Sequence, residues 1–310
     1  MNLSQLIPRR TGYSIGLNLY MINDTHRNIF YDNFLKQHVK GKVCSEAGFG
    51  SGILTMIALQ HGAEHVYAYE MDSTIFEIGK EIITRMGYAD RVTFIHDKFD
   101  NRYESEILFH ELFMSTIWGE GLNEIHKMVK GKTHILPSKM RCEIKVNSNQ
   151  EKVNKQHWLF TDNLRPHYTY NPDDADPDYG TPQNIRINTG VDYLNNMNEI
   201  IEDIQYSDEY YVISPDNGNL YARRRINLDF TETIGSYEVD LNHDDLPEVI
   251  TVPINIPQNS LITCKYSSHE LKLQREDSHW KYDKIVYAKE GGPYIFKQRT
   301  TDSTWWLEKV

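Results

Sequence analysis

Two glutamates stand nine residues apart in the stretch HELFMSTIWGEG, and the eight residues between Glu111 and Glu120 carry no charge. They follow the apolar run Ile107, Leu108, Phe109, so the first acid falls at a strand end, where loops commonly carry functional side chains. A lysine or arginine between the acids would occupy them; without one, both are left for a cation from elsewhere. A second group of residues lies upstream. In EAGFGSG, Gly48, Gly50 and Gly52 are separated by single residues, and Glu46 precedes them. Glycines there let the backbone approach a ligand without Cβ clashes. Glu70, which closes VYAYE, can accept from both hydroxyls of a diol.

These groups need elements to hold them. GKVCSEAG reads as a strand ending in a glycine turn, and GILTMIALQHGAEH as a helix that stops at Gly62. HVYAYEMD is strand-like; DSTIFEIGKEIITRMG is a helix with Asp72 or Ser73 as N-cap and Gly87 at its end. RVTFIHD and EILFHEL read as strands. EGLNEIHKMVKG reads as a short helix with Leu122, Ile125, Met128 and Val129 on one side and Gly131 closing it. Strands alternating with helices predict a Rossmann-like α/β domain over residues 1–140, a parallel sheet covered on both faces. Its ligands bind at the strands' carboxyl ends.

From about residue 141 to 310 the pattern becomes alternating strands: MRCEIKV, EYYVIS, NLYARRRINLDF, EVITVPINI, LITCKY and KYDKIVYA, interrupted by the helical VDYLNNMNEIIEDI. This predicts an antiparallel β domain, barrel or sandwich. HYTYNPDDADPDYGTPQ, with three prolines, reads as an exposed loop and lacks the spacing of a calcium-binding loop.

With 310 residues, 39% apolar content and 12% aromatics, the chain supports a packed core. No run approaches 18 apolar residues, so no membrane span is expected. The start, MNLSQLIPRR, does not read as a secretory signal. Cys44, Cys142 and Cys264 lie far apart, which suggests a reducing compartment and no zinc motif. The thirteen histidines show no ligand spacing, so no metal is expected. A net charge of −11 argues against direct nucleic-acid binding and suits a cationic partner.

The third glycine narrows the ligand. A dinucleotide site wants G-x-G-x-x-G, but here Ile53 occupies that place and the third glycine comes one residue early. This disfavours a Rossmann oxidoreductase and resembles the G-x-G-x-G of S-adenosylmethionine-dependent methyltransferases. Further matches narrow the resemblance. MINDTHRNIFY is similar to the N-terminal helix motif M-L-x-D-x-x-R-x-x-x-Y of the protein arginine methyltransferases, at Met21, Asp24, Arg27 and Tyr31. EAGFGSGIL and YAYEMD match that family's glycine and ribose segments, and FIHDKFD its adenine segment. Glu111 and Glu120 match its double-glutamate loop, and HILPSKMRCEIKV its passage into a β-barrel. DSHWKY resembles its T-H-W loop, with Ser278, His279 and Trp280.

The resemblance implies S-adenosyl-L-methionine as cofactor, held by Met21, Arg27, Glu46, Gly48, Gly50, Gly52, Glu70, Met71, Phe99 and Asp100. It implies Glu111 and Glu120 gripping a substrate guanidinium, with His279 paired to Asp24 as a closing pair and proton relay. Arg27 would bind the methionine carboxylate. Met21 in place of Phe goes with asymmetric dimethylation in the family. It also implies an arginine-containing, basic or Gly/Arg-rich protein substrate. A homodimer is implied too, formed through an arm near residues 150–185, in a cytoplasmic or, in a eukaryote, nuclear location. Glutamine at either Glu111 or Glu120 is expected to abolish transfer and leave cofactor affinity nearly intact. The chain departs from the family at His110, Leu112, Phe113 and Met114, where S-E-W-M-G is usual, and at Asn18, where a histidine is usual. These departures bear on substrate choice. They keep two other readings open: a methyltransferase of this fold acting on a non-arginine substrate, and a dimeric scaffold of this fold without chemistry.

Overall fold

Val43–Ala47 (β1) is the middle strand of a five-stranded parallel sheet in this computed structural model, which describes residues 21–113, 116–148, 189–194, 230, 232–274 and 285–310. The other strands are His65–Tyr69 (β2), Val92–Ile95 (β3), Ile107–His110 (β4) and His134–Leu136 (β5), in the order β3-β2-β1-β4-β5. The chain runs outward through β2 and β3, then returns to lay β4 against the other side of β1. Cys44 pairs with both Val66 and Ile107 in register, and Ala47 with Tyr69 and His110. That reversal of direction opens a crevice beyond the carboxyl ends of β1 and β4. Burial on both faces explains why β4 reads as an apolar run and not as alternation, since it is buried throughout.

The helices of this unit follow from local sequence. Thr25–Leu35 (α1) begins at Asp24, whose carboxylate accepts from the Arg27 amide at 3.0 Å. Ile53–Gln60 (α2) is buried from Ile53 to Leu59, as a helix apolar on every side must be. Ser73–Arg85 (α3) has Asp72 as N-cap, accepting from Thr74 and Ile75 amides. It buries Ile75, Phe76, Ile78, Gly79, Ile82 and Ile83, the spacing of one helical face. Residues 189–194 lie on α1. The Asn28 amide donates to Thr189 O at 2.9 Å, and Asp32 accepts from the Tyr193 hydroxyl while lying 2.7 Å from His61 Nε2.

The second compact unit takes residues 112–130, 137–148 and the described residues from 230 onward. It contains the helix Leu122–Val129 (α4) and eight antiparallel strands. Lys139–Asn147 (β6) sits between Glu232–Asp240 (β7) and Ser260–Ser268 (β9), with Leu271–Lys272 (β10) and Val286–Ala288 (β11) also on β9. Val249–Ile256 (β8), Gly292–Arg299 (β12) and Trp305–Lys309 (β13) form a second sheet with β12 in the middle. The architecture is therefore a Rossmann-like parallel sheet followed by antiparallel sheets. β7, β12 and β13 are strands that the alternation in the sequence does not pick out. β7 is exposed or half-buried along its whole length, so it has no clean two-residue period. The expected strands EYYVIS and most of NLYARRRINLDF, and the arm near 150–185, lie outside the described residues.

Cys44, Cys142 and Cys264 are free and buried. Burial pushes the Cys44 thiol up to about 12, which leaves it protonated and inert. No helix among the described residues is long and apolar enough to cross a membrane. Among those residues no cluster of His, Cys, Asp or Glu could hold a metal ion.

Candidate active site

The glycine turn after β1 is tied to the end of β2 by backbone and by one acid. The amides of Gly48 and Phe49 donate to Tyr69 O at 3.0 and 2.8 Å. The Glu70 carboxylate accepts from the Gly50 amide at 2.9 Å and from the Asp72 amide at 2.8 Å. Each carboxylate oxygen can accept more than once, so Glu70 can brace the turn and still take a diol. Burial raises its pKa, and the Asp72 and Gly50 amides oppose that. Gly52 starts α2 at φ 82°, a left-handed conformation, and a Cβ there would meet Ile83 and Phe49 at 3.0 Å.

One residue of this site escapes the sequence reading. Gly79, inside α3, packs so closely on the turn that a Cβ would lie 2.3 Å from Gly50 O and 2.5 Å from the Phe49 ring. The signal was present as an isolated glycine within a helical pattern. Its function is to let α3 support the turn from beneath.

Glu46 is 1% exposed and accepts from the Thr55 hydroxyl of α2. Burial pushes its pKa well above the usual 4.5, against the pull of Thr55 and Arg27. The unfolded chain ionises this carboxyl near 4.5 while the folded protein keeps its proton to higher pH. Its contribution to stability is therefore complete below that value and is lost as pH rises through the raised folded value. Glu46→Gln should thus gain thermal stability relative to the parent at pH 8 compared with pH 5. A melting-temperature difference independent of pH would refute a raised Glu46 pKa.

Arg27, on α1, reaches the end of β4. Its Nη2 donates to Glu111 Oε2 at 3.1 Å, with the two side chains only 5% and 6% exposed. Nη1 donates to Asn28 Oδ1 at 3.1 Å, and the guanidinium lies 5.7 Å from the Tyr31 ring centroid. The Tyr31 hydroxyl donates to His110 O at 2.8 Å. Burial, followed by the charge of Glu111, raises the Tyr31 pKa well above its usual value. The base that the loop itself lacks is therefore supplied by the helix, 84 residues away in sequence. Arg27 Nε is buried and meets no acceptor among the described residues. Met21 is half-buried, and its carbonyl lies 3.5 Å from Arg27 Nη1.

Three more of the expected residues follow strands of this sheet. Met71, after β2, is 72% exposed. Phe99, after β3, is buried edge-on against Tyr69 with ring centroids 4.9 Å apart. Asp100 is exposed and accepts from the Arg102 amide at 3.1 Å and its Nε at 2.6 Å. Glu120 belongs to the second unit and stands one residue before Gly121, the N-cap of α4 at φ 80°. Ser278, His279, Trp280 and Met114 lie outside the described residues.

At the carboxyl edge of one sheet the first unit thus gathers a glycine turn, an acid suited to a diol, an exposed methionine and a buried guanidinium with a spare donor. Such a set fits a nucleoside joined to an amino-acid zwitterion.

This sheet order defines a Rossmann-like type of fold, followed along the chain by antiparallel sheets. Within that type the chain resembles the protein arginine N-methyltransferases. It is 36% identical over 89 residues to protein arginine N-methyltransferase 1 of Saccharomyces cerevisiae, a match over 28% of this chain and 25% of that protein. It is 35% identical over 80 residues to protein arginine N-methyltransferase 9 of Xenopus laevis, over 25% of this chain and 10% of that one. The chain thus spans a quarter or less of the length of these curated relatives. No protein-family model matches it. Among solved structures, PRMT6 with SAH superposes with a TM-score of 0.56 at 15% identity, covering 93% of this chain and 97% of that one. The Trypanosoma brucei PRMT1 enzyme–prozyme complex with AdoHcy gives 0.50 at 14% identity, over 90% and 86%.

Proposed function

We propose that this protein is an S-adenosylmethionine-dependent methyltransferase acting on the guanidinium of protein arginine. The observation that carries the reading is the placement of Glu111 beyond β4 at the edge that also holds the glycine turn and Glu70. The residues present fit the cofactor. The glycine turn offers backbone at close range, Glu70 suits the ribose diol, Phe99 and Asp100 would meet the adenine, and the buried Arg27 Nε would donate to the carboxylate. When bound, S-adenosylmethionine supplies a methyl group on a cationic sulfonium.

An arginine guanidinium stays protonated in proteins, with a pKa above about 12. Bringing it about 4 Å from another unit positive charge costs roughly 4 kcal/mol at an effective dielectric near 20. Glu111 and Glu120 offset this by charge-assisted bonds. They also fix one nitrogen in line for attack, and such positioning alone contributes large rate factors. His279 with Asp24 is the proposed acceptor of the proton that the nitrogen loses on methylation.

Incubation with radiolabelled S-adenosylmethionine, a Gly/Arg-rich protein and its Lys-substituted control tests the reading. Label on the arginine protein alone is expected. Label on a non-protein substrate would replace this reading with a methyltransferase of another specificity. Cofactor binding without transfer would favour a scaffold, a reading that gains some support from Arg27 already occupying Glu111.

As part of the same proposal, residues 150–185 form a dimerisation arm and the second unit's strands complete a barrel. A solution mass of twice 36.3 kDa is expected, and a mass of one chain would overturn the dimer.

A further inference from the structure

We propose that the turn between β12 and β13 is a bracket that positions Glu120, and that Tyr237 and Gln298 are positioning residues acting through Trp118. This rests on the role given to Glu120 above.

The residues on either side of Glu120 are pinned to one short stretch of chain. Two positions before it, Trp118 is fully buried; its amide donates to Ser303 Oγ at 2.8 Å and its indole Nε1 to the Tyr237 hydroxyl at 3.1 Å. Three positions after it, Asn123 is 1% exposed and donates from Nδ2 to Thr300 Oγ1 at 2.6 Å; that hydroxyl donates onward to Pro247 O at 2.8 Å. Ser303 and Thr300 lie in the same turn, so both anchors of the Glu120 segment refer to one piece of backbone.

The network has a single sense. An indole N–H can only donate, so the Tyr237 hydroxyl accepts from Trp118 and spends its own proton on Gln298 Oε1 at 2.6 Å. The Gln298 amide hydrogens are then committed to Tyr266 OH at 2.9 Å and Ser303 O at 3.1 Å. The amide cannot flip without opposing donor to donor, and Gln298 and Thr300 are fully buried. Ser303 holds φ at 61°, a conformation uncommon for a residue other than glycine. In it, both its hydroxyl and its carbonyl accept from this network. Backbone strain kept in a buried turn is consistent with a positioning role. Nothing in the loop HELFMSTIWGEG foretells this, because Tyr237 and Gln298 are 119 and 180 residues from Trp118.

The test compares Tyr237→Phe, Trp118→Phe and the double variant with the parent. Tyr237→Phe keeps the ring and removes the one hydroxyl that links indole to amide. The expected result is a fall in kcat of about 10- to 100-fold, the range that a misplacement near 1 Å produces. The cofactor Kd should stay within about twofold and amide exchange in residues 116–124 should quicken. If the bridge is one unit, the double variant loses no more than the worse single variant. Unchanged kcat in Tyr237→Phe, or unchanged exchange in that segment, overturns the proposal, as does full additivity. A fall in melting temperature alone, with kcat per folded molecule intact, shows a merely structural role and also overturns it. If the parent transfers no methyl group, the proposed function has failed, and the exchange of residues 116–124 in Tyr237→Phe decides whether the bracket exists.

Discussion

Glu111→Gln should unfold at a lower temperature than the parent before any cofactor is added, and by more than Glu120→Gln does; both should lose transfer. The difference comes from the ion pair with Arg27, which is 3.1 Å long and almost wholly buried. Removing the charge from one partner leaves the other as an uncompensated buried ion, a change that costs about 3–5 kcal/mol. For a chain of 310 residues that amounts to a melting shift of roughly 5–8 °C. Glutamine can still accept a hydrogen bond, so the lower end of the range is the better estimate. S-adenosylmethionine carries a carboxylate that can stand in for the lost charge. The stabilisation on adding it should therefore be larger in Glu111→Gln than in the parent. Glu120 has an intermediate exposure in the second unit, so its replacement should cost less stability than that of the more buried Glu111 side chain. Loss of a preorganised charge partner at the reacting group should lower kcat by about 100- to 1,000-fold in each variant. Equal melting temperatures for the two unliganded variants would refute the separate role of Glu111, and unchanged turnover in both would sink the guanidinium clamp. From the sequence alone the two substitutions are expected to behave alike.

Gly79→Ala should lose cofactor affinity by more than tenfold although the residue is expected to touch no ligand. Alanine in a helix interior normally stabilises by about 1 kcal/mol relative to glycine. Here the new Cβ would fall 2.3 Å from a backbone oxygen of the glycine turn, which cannot give way as a flexible side chain could. Either α3 or the turn must move, at a cost of about 1–3 kcal/mol. Movement of the turn takes the Gly50 amide away from Glu70, the contact that joins the turn to the proposed ribose acid. Gly87→Ala is the control. It places a Cβ in open space at φ 81° and should cost about 1–2 kcal/mol of stability, with cofactor affinity preserved. Wild-type affinity in Gly79→Ala, measured by calorimetry, would show that the turn tolerates the shift and that the close approach has no bearing on the site.

Much of the first unit was legible in the sequence. Asp72 and Gly87 bound α3 as expected, the glycine turn follows β1, and Glu111 follows β4, because caps, turns and strand ends depend on neighbouring residues. Legibility failed in particular places. The strands β12 and β13, with the turn proposed to bracket Glu120, have no distinct alternation to announce them. Gly79 looked like a weak spot in a helix until α3 was seen against Gly50 O.

Arg27 shows where the boundary lies. The sequence alone determined which groups are present and which local elements carry them: an arginine early in α1, an acid at the end of an apolar strand, glycines where backbone must come close. Only the tertiary structure decided what each group meets. The return of the chain to set β4 beside β1 brings Glu111 to within 3.1 Å of Arg27 across 84 residues, burying both charges together. Spacing along the chain governs groups within a turn or two of one another; partners further apart are chosen by strand order and packing, which no local pattern encodes.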